Sequence, residues 1–216
     1  MLRPGNLRLV ASDSELLHAW RAGDATAGDA LVRRHFDAIY AFFRTKMDAE
    51  VDDLVQSTFA ACVTASDQFR EEAGFRTFLF AIARNQLRQF LRKTLGRRDL
   101  ADVTSSMIDS GPSPSSFTNA RGRRRTLLRA LRTIPLDAQI ALELFYWEGL
   151  SGVELAHVLG IPEGTARTRL RAARRTLRER IAQLAPHEES TASEDDLAQW
   201  VGSIREYLAH ESVARR

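Results

Sequence analysis

The sequence lacks the features of secreted and membrane-inserted proteins. Its single cysteine, Cys62, excludes an intrachain disulfide, which fits a reducing compartment. No apolar run approaches the roughly 18 residues that a membrane-spanning helix requires. The first residues contain no apolar signal-peptide core. We therefore expect a cytoplasmic protein with no membrane insertion.

The sequence is also poor in the groupings of side chains that carry catalysis. Its five histidines are scattered, and no two of them form a metal-ligand pair at helical spacing. No glycine-rich loop of the kind that cradles phosphate is present. These absences predict that the protein is not an enzyme and uses no cofactor and no metal.

Alternation of apolar and polar residues, the mark of half-buried strands, is nowhere long enough to predict a sheet. The 216 residues are 44% hydrophobic and 27% charged, which is ordinary for a soluble protein. The length suits two small domains better than one large one. We therefore predict an all-α fold of two small helical domains.

Charge is segregated along the chain. The net charge is only +3, although the sequence pI is about 9.5. Acids gather at 48–53 and 188–196, whereas arginines gather at 121–125 and 167–180. A basic region of this kind favours a polyanionic partner.

Residues 149–181 have the pattern of a helix-turn-helix. Ser151 and Glu154 have the spacing of a capping box, and Gly160 is a natural helix stop because it tolerates positive φ. Pro162 suits the first turn of a following helix. That helix carries seven arginines, and its apolar stripe contains Leu170, Ala173, Leu177 and Ile181. Such a second helix enters a DNA major groove in known complexes.

The alternative interpretation is an arginine-rich, solvated helix packed against a neighbour. A solvated face normally mixes charges of both signs. Acids are absent between Thr165 and Arg178, so the arginines lack nearby partners in sequence. This imbalance favours DNA binding.

Four helices are predicted in the N-terminal half. The first is capped by Asp13 or Ser14 and runs to about Ala22, and a longer core helix starts at Asp29. Two more cover 51–63 and 75–93, with a loop at 67–74 between them. Arg84, Arg88 and Arg92 recur at four-residue spacing and therefore share one face of the last helix.

Residues 96–122 differ in composition from both halves. They are rich in serine, glycine and proline and have few large apolar groups, which predicts a flexible linker. The helical pattern resumes at Arg123. Beyond residue 185 the chain is acidic and polar, and residues 194–210 then regain the spacing of an amphipathic helix.

Two segments resemble the same protein family. VDDLVQSTF followed by FRTFLFAIARNQLRQFLRK resembles region 2 of bacterial RNA polymerase sigma factors. LRTIPLDAQIALELFYWEGLSGVELAHVLGIPEGTARTRLRAARRTLRE resembles region 4. The two-domain form with a short linker resembles the extracytoplasmic-function group. The resemblance covers 14–95 and 123–184 and implies core RNA polymerase and promoter DNA as partners, with an anti-sigma protein left open.

The resemblance implies functional residues in region 2. The polymerase-binding residues would be Asp52, Asp53, Leu54 and Gln56. A loop pocket at 69–77 would hold a flipped base of the minus-ten element, where aromatic and polar groups stack on the base and read its edge. The residues implied to contact the minus-ten element are Arg76, Thr77, Arg84, Asn85, Arg88, Arg92 and Lys93.

In region 4, the second helix of the helix-turn-helix would read the minus-thirty-five element. An arginine early in that helix can bond to guanine through two hydrogen bonds. Ala166 replaces the larger aliphatic residue that is usual in the family, and Gly164 suggests a close approach to DNA or to the preceding helix. The residues implied to contact this element are Thr165, Arg167, Thr168, Arg169, Arg171, Arg174 and Arg175.

The resulting domain organisation is a region 2 domain at 1–95, a linker at 96–122, a region 4 domain at 123–185 and a C-terminal extension at 186–216. The extension lies outside the family resemblance. Its helix could pack on the chain's own domains, on a partner or, least favoured, on a membrane, and a regulatory module and a plain packing helix stay open. For the chain as a whole, the alternative is a helix-turn-helix regulator that works without polymerase.

Overall fold

The computed structural model describes residues 11–47, 49–66, 69, 74–95 and 120–184. Every regular element in these ranges is a helix, which confirms the all-α prediction. The predicted C-terminal helix and residues 96–119 of the predicted linker lie outside the described residues. The described helices are α1 (Asp13–Arg21), α2 (Ala25–Arg44), α3 (Val51–Thr64), α4 (Gly74–Leu95), α5 (Ala120–Thr133), α6 (Leu136–Tyr146), α7 (Gly152–Leu159) and α8 (Glu163–Leu184).

Helices α1 to α4 form the first domain. The N-cap of α1 is Ser12, whose side chain accepts from the Glu15 amide while the Glu15 carboxylate accepts from the Ser12 amide. The predicted cap at Asp13 or Ser14 is therefore wrong, because this reciprocal capping box fixes the helix start one residue earlier. Helix α2 also begins before the predicted Asp29, because the Asp24 carboxylate caps the amides of the residues that follow it.

Helices α1 and α2 cross at close range. Gly28 is buried in α2, and an added Cβ there would overlap the indole ring of Trp20 in α1. A glycine is thus needed at this crossing because the indole occupies the space of a side chain. The contact brings Leu17 and Leu31, both nearly inaccessible to solvent, into one core.

Helices α5 to α8 form the second domain, and the predicted helix-turn-helix is its last half. The Ser151–Glu154 capping box is present, and Gly160 takes the left-handed conformation with φ of 64°. Helix α8 begins at Glu163, so Pro162 stands just before the helix. Helix α5 begins at Ala120, three residues earlier than the predicted resumption at Arg123 and inside the range predicted as linker.

The two domains pack directly against each other. Helix α4 of the first domain contacts α7 of the second, and the buried apolar side chains of both domains belong to one continuous cluster. Arg132 of α5 donates to the carbonyl oxygens of Thr45 at 2.7 Å and Arg44 at 3.0 Å, both at the end of α2. The described ranges include no helix long and apolar enough to cross a lipid bilayer.

Candidate functional site

The N-terminal half of α3 presents a polar, acidic face. Asp52, Asp53 and Gln56 are exposed, whereas Leu54 is buried in the domain core. The apolar residues Val51, Leu54 and Val55 share the buried face of the helix. The acids between them therefore lie on the opposite, exposed face. Three of the four residues predicted to bind polymerase are therefore available to a partner, and Leu54 supports the helix from beneath.

The residues predicted to contact the minus-ten element are distributed unevenly around α4. Asn85, Arg92 and Lys93 are exposed, and Arg76 and Arg88 are half-buried. Thr77 and Arg84 are buried, with only 1% and 7% of their surfaces exposed. Their burial results from the second domain, which covers this side of α4.

Asp137, in the first turn of α6, gathers three of the predicted DNA-binding arginines. Its carboxylate lies 3.1 Å from a terminal nitrogen of Arg84, 3.1 Å from Arg169 and 3.9 Å from Arg88. Burial lowers the pKa of Arg84, and the charge of Asp137 opposes that shift. Because α4 and α8 supply these arginines, the carboxylate joins the two predicted DNA-binding helices.

Two more acids of the second domain reach α4. The Thr77 hydroxyl donates to the Glu154 carboxylate at 3.3 Å, and Arg76 lies 3.5 Å from the Glu148 carboxylate. Glu154 belongs to the α7 capping box, and hydrogen bonds from the Ser151 amide and hydroxyl lower its pKa. The side of α4 that faces α6 and α7 is thus bordered by carboxylates.

An aromatic cluster lies beside the predicted base pocket. Phe69 is 5.2 Å from Phe78 and 6.1 Å from Phe75 between ring centroids, and Phe80 is buried in the core. Residues 70–73 of the predicted pocket lie outside the described residues. Phe75 is buried, and the ring of Phe78 packs against it.

Most residues predicted to read the minus-thirty-five element lie on the open face of α8. The exceptions are Arg169, which is held by Asp137, and Arg174, which stacks on the rings of Phe145 and Tyr146 at 5.2 and 5.4 Å. The exposed residues are Thr165, Arg167, Thr168, Arg171 and Arg175.

Not all arginines of α8 lack acidic neighbours. Arg167 lies 2.5 Å from Glu163 and Arg175 lies 3.8 Å from Glu179, each one helical turn away. The prediction that these arginines lack local partners is therefore wrong for two positions. It overlooked acids at both ends of the arginine run, which helical periodicity brings onto the same face.

Two further positions in α8 now have structural explanations. Ala166 is completely buried, so the small side chain fits a close contact of α8 with the domain core. At Gly164 an added Cβ would have no atom within 4 Å. Close approach to the preceding helix does not account for this glycine, and its exposure leaves room for an external partner.

Sequence reasoning missed the residues that join the domains. Lys46 lies two residues after the end of α2. It forms a buried ion pair with Glu143 of α6, whose other oxygen accepts from Gln139 at 2.8 Å. The signal in the sequence was a charged residue inside an apolar run, Glu143 within IALELF. Nothing in the local pattern, however, indicated its partner 97 residues away.

Both halves of the chain match models of one protein family. The model for sigma-70 region 2 matches residues 31–97, and that for sigma-70 region 4 matches residues 124–177. Together they cover more than half of the chain. The match to region 2 disfavours the alternative of a helix-turn-helix regulator that works without polymerase, because such a regulator would not need a region 2 domain.

Several complete proteins are similar over most of their length. The ECF RNA polymerase sigma-E factor of Salmonella typhimurium is 28% identical over 184 residues, 80% of this chain and 96% of that protein. The RNA polymerase sigma-H factor of Pseudomonas aeruginosa is 29% identical over 176 residues, 76% of this chain and 91% of that protein. The structure of CnrH in complex with the cytosolic domain of CnrY superposes with a TM-score of 0.56 at 26% identity. That match covers 83% of this chain and 100% of the matched chain in that structure.

Sigma factors as a class are not catalysts. Region 2, region 4, their order and the all-helical fold agree in this chain. The chain belongs to the extracytoplasmic-function group of the sigma-70 family, the subunits that direct core RNA polymerase to specific promoters and help to open the DNA for initiation.

Proposed function

We propose that the two domains divide the work of promoter recognition. The domain at 1–95 binds core polymerase through the exposed face of α3 and the minus-ten element through α4. The domain at 123–185 binds the minus-thirty-five element through α8, and 96–122 connects them. The observation that carries this division is the exposure of Asp52, Asp53 and Gln56 on one domain and of an arginine-bearing recognition helix on the other.

The α3 face has the chemistry of a polymerase-docking surface. Its acids stand in the first turn of the helix, where the helix dipole favours negative charge. Asp53 is exposed to solvent, and its carboxylate forms no ion pair within the described part of the chain. Such an acidic face complements a basic partner surface and accelerates encounter at low salt.

The open face of α8 has the chemistry of major-groove recognition. Thr165, Thr168 and Arg171 are exposed in its first half, and an arginine there can bond bidentately to guanine O6 and N7. Arg167 also faces the groove in this proposal, and Arg175 holds a phosphate. The protein performs no covalent chemistry itself and acts in the cytoplasm, where its polymerase partner works.

A protein partner that regulates access is also part of the proposal. The similar protein CnrH was solved with the cytosolic domain of CnrY bound. We expect an anti-sigma protein of comparable role for this chain. The extension at 186–216 would add either a regulatory contact or a packing helix.

Run-off transcription with purified core polymerase and a promoter library tests the proposal.

Two sets of variants test the separate contacts. Asp53→Arg should lose core binding in a pull-down, while Asp29→Arg, an exposed acid on α2, should keep it. Arg171→Ala should relax preference at one upstream base at a cost of about 1–3 kcal/mol. Arg180→Ala, further along the same helix, should not alter base preference. No transcription by the wild-type chain from any fragment would reject the proposed function.

A further inference from the structure

The surface of α4 that should meet promoter DNA is covered by the chain's own second domain. Thr77 and Arg84 are almost completely buried there, and Arg88 is half-buried. DNA cannot reach these side chains while α7 and the start of α6 lie against α4. The arrangement seen in the structure is therefore incompatible with the promoter contacts proposed for the same residues.

The covering domain supplies carboxylates where DNA would supply phosphates. Asp137 accepts from Arg84 at 3.1 Å and from Arg169 at 3.1 Å. Glu154 accepts from Thr77, and Glu148 faces Arg76. Arginine forms similar charge-assisted hydrogen bonds with a carboxylate and with a phosphate. Each of these acids thus occupies a site that a nucleic acid would need.

We propose that the Asp137 carboxylate acts as a clasp. It holds the two domains of this sigma factor together in a closed state that excludes DNA. The carboxylate competes with DNA phosphates for Arg84 and Arg88 of the first domain, and separation of the domains releases both arginines. This inference rests on the proposed role of α4 in binding the minus-ten element. It concerns the chain alone and requires no second protein to close it.

Contacts away from the predicted DNA-binding arginines support the same closed state. Arg132 bonds two carbonyl oxygens at the end of α2, and the Lys46–Glu143 ion pair lies buried beside it. The DNA-binding side chains contribute nothing to these contacts. The closed state can therefore be weakened at two independent places, one at the clasp and one remote from it.

Opening has a measurable consequence for DNA affinity. When only an open fraction of the molecules can bind, the apparent dissociation constant is the intrinsic one divided by that fraction. A variant that opens the domains should therefore bind more tightly without any new DNA contact. A labelled single-stranded oligonucleotide of mixed sequence is the suitable probe, because α4 is the helix proposed to hold the melted strand.

The experiment compares Asp137→Asn and Arg132→Met with the wild-type full chain by fluorescence anisotropy at low salt. Asp29→Asn is the matched control, because it removes the same charge from an exposed position on α2. Arg132→Met removes a positive charge, so simple electrostatics would weaken its DNA binding. Tighter binding by Arg132→Met would run against this loss of charge and would indicate opening. We expect both test variants to bind at least threefold more tightly than the wild type and the control to bind within twofold of it.

The distance between the two domains tests the inference without relying on DNA affinity. Spin labels at Ala60→Cys in α3 and Ala172→Cys in α8, both exposed positions, report the separation of the domains. Circular dichroism confirms that each variant is folded. We expect a longer and broader distance distribution in Asp137→Asn and Arg132→Met than in the wild type and in Asp29→Asn.

Two outcomes would overturn the inference. One is Asp137→Asn binding the oligonucleotide no more tightly than Asp29→Asn. The other is weaker DNA binding by Arg132→Met with an unchanged distance distribution. If either result is obtained while the wild-type chain supports normal run-off transcription, the role of Asp137 as a clasp is rejected and the proposed function stands. If the wild-type chain supports no transcription, the proposed function itself is rejected.

Discussion

The ammonium group of Lys46 and the carboxylate of Glu143 form an ion pair between the two domains, with 0% and 2% of their side chains exposed. Lys46 also donates to the Phe42 carbonyl oxygen at 2.6 Å and to the Thr45 hydroxyl at 2.9 Å. Burial lowers the pKa of Lys46 and raises that of Glu143, while their mutual attraction opposes both shifts. The pair therefore depends on each partner to offset the cost of removing the other from water.

Removing one member of this pair should destabilise the protein strongly. Glu143→Leu leaves the Lys46 ammonium buried without a counter-ion, and the expected cost is about 3–5 kcal/mol. Lys46→Met with Glu143→Leu should recover most of that loss, because two apolar side chains leave no buried charge. Urea unfolding measures both variants.

An exposed ion pair in the same chain provides the control for that measurement. Glu163 and Arg167 are 40% and 68% exposed, and such pairs contribute only about 0.3–0.5 kcal/mol. Glu163→Gln should therefore shift the urea midpoint little. Equal effects of Glu143→Leu and Glu163→Gln would contradict the role assigned to burial.

The helices could be predicted from sequence because their signals are local. In the helix-turn-helix, the capping box, the glycine stop and the apolar stripe all lie between Ser151 and Ile181. Ser151, Glu154 and Gly160 took the predicted roles for this reason. The starts of α1 and α2 could not be predicted as well, because more than one nearby residue can serve as the N-cap. Ser12, for example, is the N-cap of α1, although Asp13 next to it is an equally suitable residue type.

The interface between the domains could not be predicted in the same way. Arg84 and Asp137 are 53 positions apart, and each is an ordinary polar residue in its own helix. An arginine at regular helical spacing predicts an exposed basic face, but the sequence does not show that a second domain covers it. Burial of Thr77 and Arg84 therefore became visible only in the structure.

The lone thiol of the chain should be chemically inert in the folded state. Cys62 is completely buried, and burial raises the pKa of its thiol to about 12. Since the thiolate is the reactive form, iodoacetamide at pH 8 should leave the native protein unmodified. Mass spectrometry after the same treatment in urea should show one alkylated cysteine. Rapid modification without denaturant would mean that the first domain opens readily around α3.

The two capping boxes should make stability depend on pH in the acid range. Hydrogen bonds from the Ser12 and Ser151 amides lower the pKa values of Glu15 and Glu154 in the folded state. The carboxylates therefore stabilise the protein fully above their unfolded pKa, and this stabilisation is lost as pH falls through the folded pKa.

Substitution at each box tests that pH dependence. Glu15→Gln and Glu154→Gln should each be less stable than the wild type at pH 7, and the difference should shrink as the pH approaches 3. Ser151→Ala, which removes the cap itself, should cost about 1 kcal/mol at pH 7. Thermal unfolding over a pH series gives all three results. A stability difference for the glutamine variants that stays constant with pH would exclude the titration of these carboxylates as its cause.

Gly164 offers the sharpest test of where DNA approaches the recognition helix. It lies in the first turn of α8, is exposed, and has no atom within 4 Å of the position of an added Cβ. Gly164→Ala should therefore raise the free energy of unfolding by about 0.5–1 kcal/mol, because alanine restricts the unfolded chain and favours the helix.

The same change should weaken binding to promoter duplex if the groove wall comes close to this turn. Gly160→Ala is the matched control, because its surroundings are equally open but its φ of 64° strains any L side chain. That variant should lose stability. Higher stability with reduced promoter affinity for Gly164→Ala would place the DNA against the first turn of α8. Higher stability with unchanged affinity would instead confine the base contacts to Thr168 and Arg171, further along the helix.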